Sequence, residues 1–224
     1  MSRRQHSRGR VLAACAAGAL AVTAIGACSS DGDDVPSPSS KRLNIEKFRQ
    51  TVRPIGERGP RCPLPFDVAA ATARIHLDGA VTPGDPAAVD VGEGWSDDEA
   101  AARDLYSNLT PVQRANGVTA TCSYRVGAAE LDVATFASRR GHPLVMGLPV
   151  IARDADAASP VLGAFADKMA TIAPQQVVPV GNGHVAAVRL NVNGPGEAAL
   201  YVSSETLTPA QIADLAGEFA HQLD

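Results

Sequence analysis

Thiols and imidazoles are the side chains of this sequence with the widest chemical range, and their spacing limits what they can do. Cysteine occurs at positions 15, 28, 62 and 122. Neither Cys62 nor Cys122 has a second Cys or His at ligand spacing, so a zinc site fits poorly. Separated by about 60 residues, the two suit a disulfide if the chain folds in an oxidising compartment, with buried free thiols as the alternative. His76, His142, His184 and His221 show no metal spacing either. Gly181-Asn182-Gly183-His184 could form a site loop, but a hairpin turn accounts for both glycines. The acids Asp90, Glu93, Asp97, Asp98 and Glu99 lack the Asp-x-Asp-x-Asp-Gly order of a calcium loop and suit the start of a helix. No Gly-x-Ser-x-Gly elbow, phosphate-binding glycine loop, His-Glu-x-x-His or Ser-x-x-Lys pattern occurs. The residues therefore single out no catalytic group, metal ligand or cofactor. An active site assembled only in three dimensions stays open.

Cys28 has a different context. Arg3, Arg4, Arg8 and Arg10 precede Val11 to Ala27, a charge-free run of small and apolar residues. That run is short for a bilayer span and rich in Ala and Gly, as in a secretory signal that is cleaved off. Its end, Ile25-Gly26-Ala27-Cys28, resembles the lipobox of bacterial lipoproteins. The resemblance implies that Cys28 carries a thioether-linked diacylglycerol and becomes the new N-terminus, with Cys15 removed. An uncleaved anchor helix is the competing reading, and in both the remainder lies outside the cytoplasm. Two acyl chains, at about 0.8 kcal/mol per buried methylene, suffice for durable anchoring. The residues after Arg3-Arg4 match twin-arginine export badly.

Cleavage before Cys28 would leave 16 basic residues against 24 acids, a net charge of -8. Residues 41–61 hold seven basic and two acidic side chains, whereas 62–224 hold nine and nineteen. An acidic domain repels phosphate backbones, so nucleic acid is not an expected partner. The basic stem could lie against anionic head groups or be a solvated linker. Ser29–Ser40 is polar and rich in Ser, Pro and Asp, a composition that cannot bury enough apolar surface to order itself. The organisation expected is a signal over 1–27, a tether over 28–61, and one domain over 62–224. Leu43, Ile45, Phe48 and Val52 could form a short packed segment within the tether.

Periodicity supplies the elements of that domain. Asp67 can cap a short Ala-rich helix running to about Leu77. A short strand fits Ala88–Val91, and Ser96-Asp97-Asp98-Glu99 reads as a capping box opening a helix with Ala101, Leu105 and Leu109 on one face. Trp95 reads as a packing residue beside that cap. Residues 118–126 alternate apolar and polar, placing Cys122 on the core side of a strand, and residues 131–137 form its hairpin partner. Ser159 reads as the cap, with Pro160 at the first helical position, of a helix with Val161, Leu162, Phe165, Met169 and Ile172 as its buried stripe. Three strands follow, near 176–180, 185–192 and 198–203. Thr208-Pro209-Ala210-Gln211 then caps a helix with Ile212, Leu215, Ala216, Phe219 and Leu223 inward. The fold expected is α+β, an antiparallel sheet of about five strands with helices packed on one face and the other face wet.

The layout as a whole is similar to uncharacterised cell-envelope lipoproteins of high-GC Gram-positive bacteria, grouped as a domain of unknown function. The lipobox, the polar tail, Cys-Pro-Leu at Cys62 and Thr-Cys-Ser-Tyr at 121–124 carry the resemblance. It implies a membrane-tethered binding module without established enzymatic residues. The expected function is therefore non-enzymatic binding of an envelope protein or small ligand. A tethered cell-envelope hydrolase and a ligand-sensing or carrier domain are the alternatives.

Overall fold

The computed structural model describes residues 42–52, 62–84, 86, 88–91, 117–139 and 142–223. All belong to one compact unit, Ser40–Asp224. The proposed lipidation site Cys28, the capping box at Ser96, the helix beyond it and Trp95 lie outside the described residues.

The centre of the unit is a β-hairpin of two ten-residue strands, β3 (Gly117–Val126) and β4 (Ala129–Ser138). Val126 pairs with Ala129 across a two-residue turn, and Gly127 in that turn takes φ +59°, a conformation side chains with a Cβ rarely adopt. The sheet is antiparallel throughout. Its order is β1-β3-β4-β7-β6-β5, formed with β1 (Val81–Pro83), β5 (Val177–Val180), β6 (Val185–Leu190) and β7 (Glu197–Ser203). A seventh strand, β2 (Ala88–Val91), shares the free edge of β3 with β1: β2 pairs with Val118–Thr121 and β1 with Tyr124–Val126. The α+β antiparallel class and the hairpin meander are thus as the sequence implies.

On the first face, α1 (Ile45–Val52), α2 (Val68–Arg74) and α5 (Pro209–Leu223) cover the sheet. Phe48 and Val52 of α1, Val68 and Ala71 of α2, and Ile212, Leu215, Ala216 and Phe219 of α5 join Val118, Ala120, Cys122, Val133, Val188 and Leu200 in one core. The caps anticipated at Asp67 and Thr208 are formed, whereas Ser159 is itself the first helical residue and Ala158, at the N-cap position before it, makes no side-chain cap hydrogen bond. Asp67 Oδ1 accepts from Ala70 N at 2.9 Å. Thr208 and Gln211 cap reciprocally, the Gln211 amide donating to Thr208 Oγ1 at 3.3 Å and the Thr208 amide to Gln211 Oε1 at 3.0 Å.

Two features depart from expectation. Helices cover the second face too: a 3-10 turn (Pro143–Met146), α3 (Leu148–Asp154) and α4 (Ser159–Thr171) pack on Ala134, Phe136, Val180, Val185, Ala187, Ala199 and Tyr201. The physical reason is that β6 and β7 carry apolar residues at consecutive positions, which buries both of their faces. Of the stripe assigned to α4, only Phe165 and Met169 are buried; Val161 is 44% exposed. The compact unit also begins before Cys62, because Ile45, Phe48 and Val52 are core residues and Leu43 bridges Val192 in parallel.

Candidate functional site

Cys62 and Cys122 come together as anticipated, at disulfide geometry with Cα atoms 5.4 Å apart. Cys122 is buried in the first core and Cys62 packs against it, which ties the segment before α2 to the middle of β3. The histidines are not brought together. His76 and His221 are exposed. His142 Nδ1 accepts from the Leu144 amide at 3.3 Å, starting the 3-10 turn, and His184 Nδ1 lies 3.1 Å from the Ser204 carbonyl oxygen. Among the described residues, no group of three His, Cys, Asp or Glu side chains could hold a metal ion.

A cleft of about 620 Å³ opens on the second sheet face beside α3. β3 and β4 build its floor, the end of β7 and the 204–206 turn one wall, and the C-terminus of α3 the other. Side-chain alternation places Glu130 and Asp132 of β4 on this face, and the register sets Arg125 opposite Glu130. Arg125 Nη2 meets Glu130 Oε1 at 3.0 Å, but both side chains are more than 60% exposed, so the pair contributes little. Asp132 stands between Ser123 of β3 and Ser203 of β7 in register.

At the wall, Asp154 is the last residue of α3, where the helix dipole disfavours a carboxylate. It is compensated from two sides: Ser203 Oγ donates to Oδ2 at 3.1 Å, and Arg153 Nη2 stands 2.7 Å from Oδ1. The hydrogen bond to Asp154 and its charge raise the Arg153 pKa, so this guanidinium stays charged. Beneath them Tyr201 stacks on Phe136, ring centroids 5.6 Å apart. Burial, then the charges of Asp154 and Asp132, push its phenol pKa far above the usual value, keeping it a neutral hydroxyl. Ser204 shapes the turn: its Oγ donates to the Glu130 carbonyl at 2.5 Å and accepts from the Thr206 and Leu207 amides at 3.3 and 3.4 Å.

Four carboxylates (Glu130, Asp132, Asp154 and Glu205) therefore share the cleft with Arg125 and Arg153, both already paired. Asp132, only partly exposed, accepts no hydrogen bond from any described residue. The cleft thus carries an excess of negative charge, four carboxylates against two guanidiniums, which suits a polar ligand carrying an ammonium or guanidinium. Ser203 Oγ donates to Asp154 Oδ2, and among the described residues no hydrogen bond joins it to a histidine.

None of the cleft residues stood out in the sequence. The available signal was the alternation of Glu130 and Asp132 on a strand otherwise apolar, which marks one stretch of its second face as wet. In comparison with known proteins, no family model, no curated protein and no solved structure matches the chain.

Proposed function

We propose that the chain is an extracytoplasmic lipoprotein, held at the cell membrane by diacylglycerol on Cys28, whose domain binds a small polar ligand in the Asp132 cleft without transforming it. The layout shared with envelope lipoproteins of high-GC Gram-positive bacteria belongs to the same proposal. The observation that carries the binding role is a concave polar site on paired strands that holds four carboxylates against two guanidiniums, with the half-buried Asp132 accepting no hydrogen bond from any described residue. The Cys62–Cys122 geometry supports folding in an oxidising compartment. Among the described residues no helix is long and apolar enough to cross a membrane.

The test is thermal unfolding of wild type and Asp132→Asn with a panel of amines, amino acids and short basic peptides. A ligand at a hundredfold excess over its Kd stabilises by about 2.7 kcal/mol. The proposal expects at least one compound to raise the wild-type Tm and not that of Asp132→Asn. Turnover of such a compound, or binding indifferent to Asp132→Asn, contradicts it.

A further inference from the structure

An asparagine followed by glycine can be attacked by its own backbone, because the glycine nitrogen has no Cβ beside it to hinder ring closure onto the asparagine side chain. The sequence has three such pairs, at 116–117, 182–183 and 193–194. Asn116 lies outside the described residues. The other two pairs sit in the turns on either side of β6 and are held very differently. In the turn between β5 and β6, Asn182 Oδ1 accepts from the His184 amide at 2.9 Å, and the Gly183 N–H donates to the Val180 carbonyl at 2.9 Å. Gly183 is buried, and a Cβ added to it would come within 2.7 Å of Pro209. In the turn between β6 and β7, Asn193 and Gly194 are both exposed, and a Cβ on Gly194 would meet no atom within 4 Å. Neither the Asn193 side chain nor the Gly194 N–H has a hydrogen-bond partner among the described residues.

We propose that Asn193 is a modification site at which the folded chain converts itself, with water as the only co-reactant, to aspartate and isoaspartate, while Asn182 is protected by its turn. The Gly194 nitrogen gives up its proton to base and bonds to Asn193 Cγ. The Cγ–Nδ2 bond breaks and ammonia leaves, closing a five-membered imide. Water then opens the ring at one of its two carbonyls. Cleavage between the ring nitrogen and Cγ gives aspartate with a normal backbone; cleavage at the main-chain carbonyl carbon leaves the backbone running through Cγ, as isoaspartate. At Asn182 the same attack must first break the bond that holds the side-chain oxygen and the bond that holds the attacking N–H. The modification is placed at a seam of the fold. The Asn193 amide donates to the Leu43 carbonyl at 2.9 Å, and Leu43 bridges Val192 ahead of α1, so the added charge and backbone methylene arise where the sheet meets the segment leading into that helix. This site is independent of the Asp132 cleft.

The experiment keeps the purified, folded protein in mildly alkaline buffer made with heavy-oxygen water, beside a sample reduced and unfolded in guanidinium. Peptides covering the two turns are followed by mass spectrometry, which reads both the replacement of the amide and the oxygen label. The proposal expects conversion at 193 to run several-fold faster than at 182 in the folded protein, with the label incorporated, and the two rates to draw together once the chain is unfolded. Asn193→Gln, whose longer side chain would need a six-membered ring, should lose the label from this turn. Equal conversion at the two turns of the folded protein, or faster conversion at 182, overturns the proposal. So does a ratio that persists after unfolding, which would assign the difference to neighbouring residues rather than to the fold, and so does label that remains at the turn in Asn193→Gln.

Discussion

Leu43 and Val192 form a parallel bridge onto an otherwise antiparallel sheet, two residues before α1 begins. In α1, Phe48 and Val52 enter the core of the first face.

Truncating Phe48 should therefore behave as a core mutation. Phe48→Ala is expected to lower unfolding stability by about 3–5 kcal/mol, whereas exposed Lys47→Ala stays within about 0.5 kcal/mol. Urea denaturation of both variants checks this. Equal, small effects would mean that α1 is part of a tether.

The Cys62–Cys122 pair closes a loop of 60 residues. The chain-entropy relation gives about 4 kcal/mol of stabilisation for such a loop. Replacing both cysteines by Ala, or unfolding under reductant, should remove a comparable amount. Labelling of the two thiols in the folded, non-reduced protein would show that no bridge forms.

Thr135 lies fully buried in β4 and its Oγ1 has no hydrogen-bond partner. Leaving a buried hydroxyl unsatisfied costs about 1–3 kcal/mol, and valine has nearly the same shape. Thr135→Val should raise stability by about 1 kcal/mol in the same assay. A loss would reveal a partner for the hydroxyl, such as an enclosed water.

High pH should expose the buried phenols. Burial raises the Tyr124 pKa to about 12, and Tyr201 is shifted further in the same direction. A folded-state pKa above the unfolded value means that the native protein binds more protons in this range. Its contribution to stability is full below pH 10 and is lost as pH rises towards 12 and beyond. The denaturation midpoint should fall steadily above pH 10, with the tyrosinate absorbance of Tyr124 and Tyr201 appearing only as the protein unfolds. Ionisation of all tyrosines near pH 10 in the folded state would contradict the burial.

Much of the architecture could be read from residue patterns, and the exceptions share a cause. Strong signals were local: alternation in 118–126, the Gly127 turn, the Thr208-x-x-Gln211 box and the stripe of α5 all fold as their spacing implies. The second helical layer was missed because α3 is seven residues long, starts with Leu148-Pro149 and buries only Ile151 outright. Such a helix owes its existence to what it packs on rather than to its own pattern. The apolar runs 185–188 and 198–202 implied a partner on both faces, a pattern characteristic of doubly covered strands. The cleft was harder still. Asp132, Asp154 and Ser203 come from two strands and a helix end, and only the register of β4 with β7 and the seating of α3 bring them together.

The proposed attachment through Cys28 underlies the role proposed for the domain, and the intact mass of the protein extracted from bacterial membranes tests it most directly. The account predicts a polypeptide running from Cys28 to Asp224 with the added mass of a diacylglycerol thioether and two fewer hydrogens for the Cys62–Cys122 bond. A full-length, unacylated chain recovered from the soluble fraction would contradict it.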